Sequence, residues 1–177
     1  MKCKGFLFDL DGTLVDSLPV VERSWINWAK RQGVNPQEVL DFIHGKQAIT
    51  SLRHFMSGES EERIQQEYDW LEEIESRDTE GVTALPGAVA LLERLNELDI
   101  PWAIVTSGSI PVAYARRAAG NYQSLMYSSP RNRCLVASQS LTLTCWVRRS
   151  WGWPSVTVWW WRTPRRVFFL DCRQAVR

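Results

Sequence analysis

Two short apolar runs, each ending abruptly in polar residues, limit what this chain can fold into. Gly5-Phe6-Leu7-Phe8 runs straight into Asp9-Leu10-Asp11-Gly12-Thr13, and Ile100–Val105 (IPWAIV) runs straight into Thr106-Ser107-Gly108-Ser109. Runs of this kind read as strands buried on both faces, with polar residues at their carboxyl ends. Between them the spacing is helical. Ser17 followed by Pro19 looks like a helix start, Val20, Val21, Trp25 and Trp28 recur at helical spacing, and Gly33 stops the element. Further helices are expected around Pro36–Phe42, Ala48–Met56 and Glu61–Arg77, the last rich in Glu and Arg and read mostly as a solvated face. Leu85-Pro86-Gly87 is a break, and Ala88–Leu98 (AVALLERLNEL) is an amphipathic helix leading into the second strand. Strand, helical insert, helix, strand, polar turn is the front of an open α/β sheet, and in such sheets ligands gather at the carboxyl ends of the strands.

The first polar turn carries chemistry. Asp9 and Asp11 are two residues apart, so in extended backbone both side chains face one pocket. Crowded carboxylates repel, and a Mg²⁺ ion, which prefers oxygen ligands, relieves the repulsion. Asp9 could then attack phosphorus to give an aspartyl-phosphate, with Asp11 protonating the leaving oxygen and later activating water. Gly12 permits the tight turn away from the strand. Taken alone, DLDGT also suits a calcium-type or plain turn loop. Thr106-Ser107-Gly108 alone is equally an ordinary turn, but beside Asp9 a hydroxyl and successive backbone N–H groups make a phosphate cradle.

At this point FLFDLDGTLVDS and AIVTSGS resemble the first and second motifs of the haloacid-dehalogenase superfamily, and LPGAVALLERL resembles the helix before its second motif. The likeness covers about two thirds of the chain and is nearest to the small bacterial sugar-phosphate phosphatases. It implies a Rossmann-like, doubly wound parallel sheet with an inserted helical cap: residues 1–14 and 83–120 as partial core, 15–82 as cap. It also implies Asp9 as nucleophile and Mg²⁺ ligand, Asp11 as acid/base and a ligand through its carbonyl, and Thr106 as phosphate binder, flanked by Ser107 and Gly108. His44-Gly45-Lys46 aligns with a cap loop that reaches the substrate, which makes Lys46 a candidate contact; an ordinary exposed lysine is the plainer reading. The implied substrate is a small phosphorylated sugar or polyol. A phosphomutase of the same family shares the aspartyl-phosphate step and stays open.

The resemblance stops near residue 120. The superfamily also needs a third-motif lysine and a fourth-motif acidic pair, yet residues 121–177 hold nine arginines, no lysine and a single acid, Asp171, in a non-matching context. Six of the ten tryptophans lie there too, and the balance shifts from −7 over residues 1–120 to +8 beyond. The genetic code suggests a cause. Trp159-Trp160-Trp161 must be TGG three times, and read one base out of register these force two valines. Continued through that region, the shifted frame permits VVVEDAPAGVLSGL, which resembles the missing fourth motif. After Val136 it permits GKPEPDAYLLGAQ, resembling the third, and from Met126 it permits DVFVTAE. We read residues 121–177 as a frameshifted, non-native tail that leaves this exact chain impaired or inactive. A different reading makes the tail, with its interleaved Arg and Trp, a module for single-stranded nucleic acid or a membrane surface.

Composition bounds the remainder. The hydrophobic share of 45% suffices for a sizeable core. Cys3, Cys134, Cys145 and Cys172 form no CxxC pair and have no neighbouring histidine, which argues against zinc. The four apolar residues before Asp9 are too few for a signal peptide, and no run approaches the roughly 18 residues of a membrane span. A monomeric cytoplasmic protein without nucleic-acid or membrane partners is the expectation.

Overall fold

In the computed structural model, residues 5–122 are described in full, together with the backbone of three later strands. Gly5–Phe8 forms β1 and Trp102–Thr106 forms β4, paired in parallel with Phe6 opposite Trp102 and Phe8 opposite Ile104. Arg133–Val136 (β5) continues the parallel run beyond β4. On the other side of β1 lie Val167–Asp171 (β7) and Thr157–Trp160 (β6), giving the order β5-β4-β1-β7-β6. β7 runs antiparallel to both β1 and β6. The sheet is therefore mixed at this edge rather than parallel throughout. Parallel neighbours need a crossover of a dozen or more residues, and only residues 161–166 separate β6 from β7, so that pair can only be antiparallel. The expectations for residues 123–132, 137–156, 161–166 and 172–177 of the tail lie outside the described residues.

β1 sits in the middle of the sheet, as its apolar run predicts, with Leu7 and Phe8 buried. Leu10, Leu14, Leu92, Trp102, Ile104 and Tyr122 join Phe8 in one core against the sheet. Ala88–Glu97 (α5) contributes Leu92 and Leu95 from a single face, as its apolar spacing requires. Ile110–Ala119 (α6) follows β4, a helix absent from the sequence-based expectations. Gly120 ends it because nothing larger fits: a Cβ there would lie 2.6 Å from the Tyr122 ring and 2.7 Å from Val15.

Between β1 and α5 the chain leaves the sheet and returns. Val15–Asp16 (β2) pairs antiparallel with Thr83–Ala84 (β3), closing the neck of the excursion. Inside it are four helices: Leu18–Gln32 (α1), Pro36–Ile43 (α2), Ala48–Phe55 (α3) and Glu61–Arg77 (α4). They begin and end within a residue or so of the expected places. Pro36 takes the first position of α2, where its missing N–H costs nothing, and the Asn35 side chain caps Gln37 N–H. Gly33 ends α1 in the left-handed conformation at φ 70°. Trp25, Trp28, Val39, Ile43, Leu52, Ile64 and Leu71 give the four helices a core of their own. α4 is less solvated than its composition suggests, because Glu67 is completely buried.

Candidate active site

β1 and β4 end side by side, so their two polar turns meet. Gly12 bends the first turn at φ 69°, a left-handed conformation that residues bearing a Cβ adopt only with strain. The backbone then folds on itself, with Gly12 N–H donating to Val15 carbonyl and Leu14 N–H to Leu10 carbonyl. Leu10 and Leu14 are held in the core by this turn, while Asp9 and Asp11 are carried to the sheet's edge. Asp9 is 9% exposed, and its Oδ1 accepts the Leu10 N–H at 2.8 Å. Asp11 Oδ1 accepts the Ser17 hydroxyl at 2.6 Å and lies 2.9 Å from Arg116 Nη1. Ser17 thus spends its hydroxyl on Asp11 rather than on capping α1, whose N-terminal position it occupies.

Thr106 is buried at the end of β4, and its Oγ1 accepts the Gly108 N–H at 3.1 Å. A Cβ on Gly108 would sit 3.4 Å from Thr106 Oγ1 and 4.0 Å from Asp11 Oδ2, ordinary contact distances that place Gly108 between the two turns. Ser109 then opens α6, placing the N-terminus of that helix beside the carboxylates. Such an end favours anions through its free N–H groups and its dipole.

The insert covers these turns. A cleft of about 640 Å³ runs between them, and every residue singled out from the sequence lines it: Asp9, Asp11, Thr106, Ser107, Gly108, His44, Gly45 and Lys46. The two cap side chains contact other residues of the insert. The Lys46 ammonium lies 3.1 Å from the centre of the Phe42 ring, and His44 Nε2 is 3.9 Å from Glu22. Sequence reasoning missed Tyr68, Glu72 and Glu75 of α4 and Arg116 of α6, which line the same cleft. Arg116, with a side chain only 6% exposed, contacts Asp11 through one nitrogen and Glu75 through another. Burial pushes the Glu75 carboxyl upward, while the Arg116 guanidinium pulls it back toward the ionised form.

The balance of charge in the cleft is acidic, with Asp9, Asp11, Asp16, Glu72 and Glu75 against Arg116 and Lys46. A phosphate ester entering such a place meets repulsion unless a cation offsets it. Among the described residues no three of His, Cys, Asp and Glu gather into a ready-made metal cage. Mg²⁺ does not require one: it keeps several waters and binds through one or two carboxylates together with substrate phosphate oxygens. The Asp9 carboxylate and the Asp11 main-chain carbonyl, at the tip of one strand, fit that pattern.

An open α/β sheet with paired carboxylates at the tip of its central strand and a helical insert closing over them defines a class of hydrolytic fold. Comparison with known proteins makes this specific. The profile of the haloacid dehalogenase-like hydrolases matches residues 3–126, and the chain belongs to that family. It is 72% identical over 116 residues to hexitol phosphatase A of Escherichia coli (strain K12), a match covering 66% of this chain and 54% of the relative. It is 32% identical over 117 residues to 2-deoxyglucose-6-phosphate phosphatase 1 of Saccharomyces cerevisiae (strain ATCC 204508 / S288c), covering 62% of this chain and 48% of that one. The chain thus spans about half the length of the curated relatives it matches. In fold it is similar to CbbY from Rhodobacter sphaeroides, solved in complex with phosphate, at a TM-score of 0.67 and 16% identity, covering 86% of this chain and 74% of that one. No helix among the described residues is long and apolar enough to cross a membrane.

Proposed function

We propose that residues 1–120 carry the catalytic front of a Mg²⁺-dependent phosphatase acting on small sugar or polyol phosphates. The single observation that carries this reading is the meeting of Asp9, Asp11 and the Thr106–Ser109 turn in one acidic cleft beneath the insert. The likeness to a hexitol phosphatase and a 2-deoxyglucose-6-phosphate phosphatase supports the substrate class.

In this mechanism an Asp9 carboxylate oxygen attacks phosphorus in line with the ester oxygen, and the P–O bond to the sugar breaks as the Asp9–phosphorus bond forms. Asp11 gives its proton to the departing alkoxide. Water then attacks the aspartyl-phosphate, Asp11 takes the water's proton, and inorganic phosphate leaves with Asp9 restored. Thr106, Ser107, Gly108 and the start of α6 hold the phosphoryl oxygens. The Asp9 carboxylate and the Asp11 carbonyl would hold Mg²⁺, which would offset charge on those oxygens when bound. His44, Gly45 and Lys46 belong to the wall of the cleft that the sugar portion would meet, which fits a cap role in choosing the substrate.

We further propose that the tail from about residue 121 is out of register with the gene's original frame, leaving this exact chain impaired. The family match ends at residue 126, near the expected break. Without the third-motif lysine and the fourth-motif acids, several kcal/mol of electrostatic stabilisation are lost from the barrier, on the order of a 10²–10³-fold fall in rate. Assay of hexitol phosphates and p-nitrophenyl phosphate with a frame-restored gene product tests both statements. The restored protein is expected to hydrolyse them only with Mg²⁺, Asp9→Asn to abolish turnover, and the 177-residue chain to show little or none. Robust, Mg²⁺-dependent turnover by the 177-residue chain would contradict the impairment, and a restored protein indifferent to Asp9→Asn would contradict the mechanism.

A further inference from the structure

Arg116 projects from α6 into the seam between the sheet's edge and the insert, and its planar fork is shared between two acids of different origin. Nη1 is 2.9 Å from Asp11 Oδ1 on the turn after β1, and Nη2 reaches Glu75 Oε2 on α4 of the insert. Its Nε is buried without a hydrogen-bond partner among the described residues. An unsatisfied buried donor is unfavourable, so the two acids are what keep the guanidinium in place. Asp11 Oδ1 also accepts the hydroxyl of Ser17, at the neck where the chain enters the insert. The proposed acid/base is thus held from two directions, by a helix of the core and by the start of the insert. The same arginine that holds it also holds the insert's far helix.

We infer that Arg116 is a positioning residue that couples the seat of Asp11 to the closure of α4 over the cleft. The inference rests on the phosphatase reading for the role of Asp11, but the coupling itself is a property of the fold. An insert that swings away takes Glu75 from the arginine, leaving Asp11 as its acidic partner among the described residues. Closure returns the fork to both acids and fixes the carboxylate in its seat. An arginine that only filled space in the seam would transmit nothing between the two segments.

Hydrogen–deuterium exchange on the full 177-residue chain separates these cases, with parent, Glu75→Gln and Arg116→Lys compared at one pH. Glu75→Gln keeps the shape of the side chain and removes its charge from α4, across Arg116 from the Asp11 turn. Coupling predicts roughly 5-fold or faster exchange at residues 10–17 as well as in α4, the lower end of ordinary inter-site coupling. Arg116→Lys keeps the charge as a point that cannot fork to both acids, and it should quicken the same two segments. If Glu75→Gln quickens α4 alone and leaves residues 10–17 at the parent rate, the coupling is overturned. An Asp9→Asn protein that still hydrolyses phosphate esters would instead strike the phosphatase reading, whatever the exchange shows.

Discussion

Tyr122 and Gly120 depend on each other at the end of α6. The Tyr122 ring is fully buried against Gly120, and its hydroxyl donates to the Leu14 carbonyl, within the turn that carries Asp11. Gly120→Ala should cost about 1–3 kcal/mol, since the new methyl meets the Tyr122 ring and the Val15 side chain at distances that force one of them to shift; the urea midpoint would show it. Burial pushes the Tyr122 phenol up to about 12. The unfolded phenol ionises near pH 10 while the folded one keeps its proton, so this contribution is whole below about pH 10 and is lost as pH rises toward about 12. Tyr122→Phe should remove that alkaline slope and cost about 1 kcal/mol at neutral pH through the lost hydrogen bond. Thermal melts of both proteins between neutral and alkaline pH would check both parts.

At the scale of elements, helix α4 shows what spacing reveals and what it conceals. Its apolar residues Ile64 and Leu71 follow the period and face the insert's core, but so does Glu67, fully buried against Trp28 and Arg31, with Arg63 Nη2 at 2.7 Å. A charge that faces inward because a partner meets it there looks the same in sequence as one facing water. Glu67→Ala should destabilise the protein by about 3 kcal/mol, since it strips a buried carboxylate from two arginines and an indole. A loss of unfolding free energy under a tenth of that size, from denaturant titration, would show the network to be ornamental. Helix α6 stayed unread for a related reason. Arg116 and Arg117 are both buried on what should be its apolar face, which spoils the period that betrays α1 and α5. β2 and β3, two residues each, are too short to carry any alternation. β1, β4 and their polar ends were legible because a buried strand followed at once by paired carboxylates has few other uses. The antiparallel placing of β7 depended on pairing between distant segments, which spacing within one segment does not encode.

Over the whole molecule, charge and topology converge on one place. Five carboxylates of the acid-rich first 120 residues, Asp9, Asp11, Asp16, Glu72 and Glu75, line the cleft between sheet and insert, beside the Thr106–Ser109 turn. Each cleft residue named from the sequence reached that cleft although the chain between them spans two separate cores. Covalent attack by Asp9 is the central step of the proposed mechanism. The most direct measurement is chemical trapping: the frame-restored protein is mixed with Mg²⁺ and a hexitol phosphate, quenched, and treated with borohydride, which reduces an acyl phosphate to the alcohol. Peptide mass analysis is predicted to find homoserine at position 9 only when substrate is present. Turnover with an unmodified Asp9, or with the modification at another acid, would contradict it.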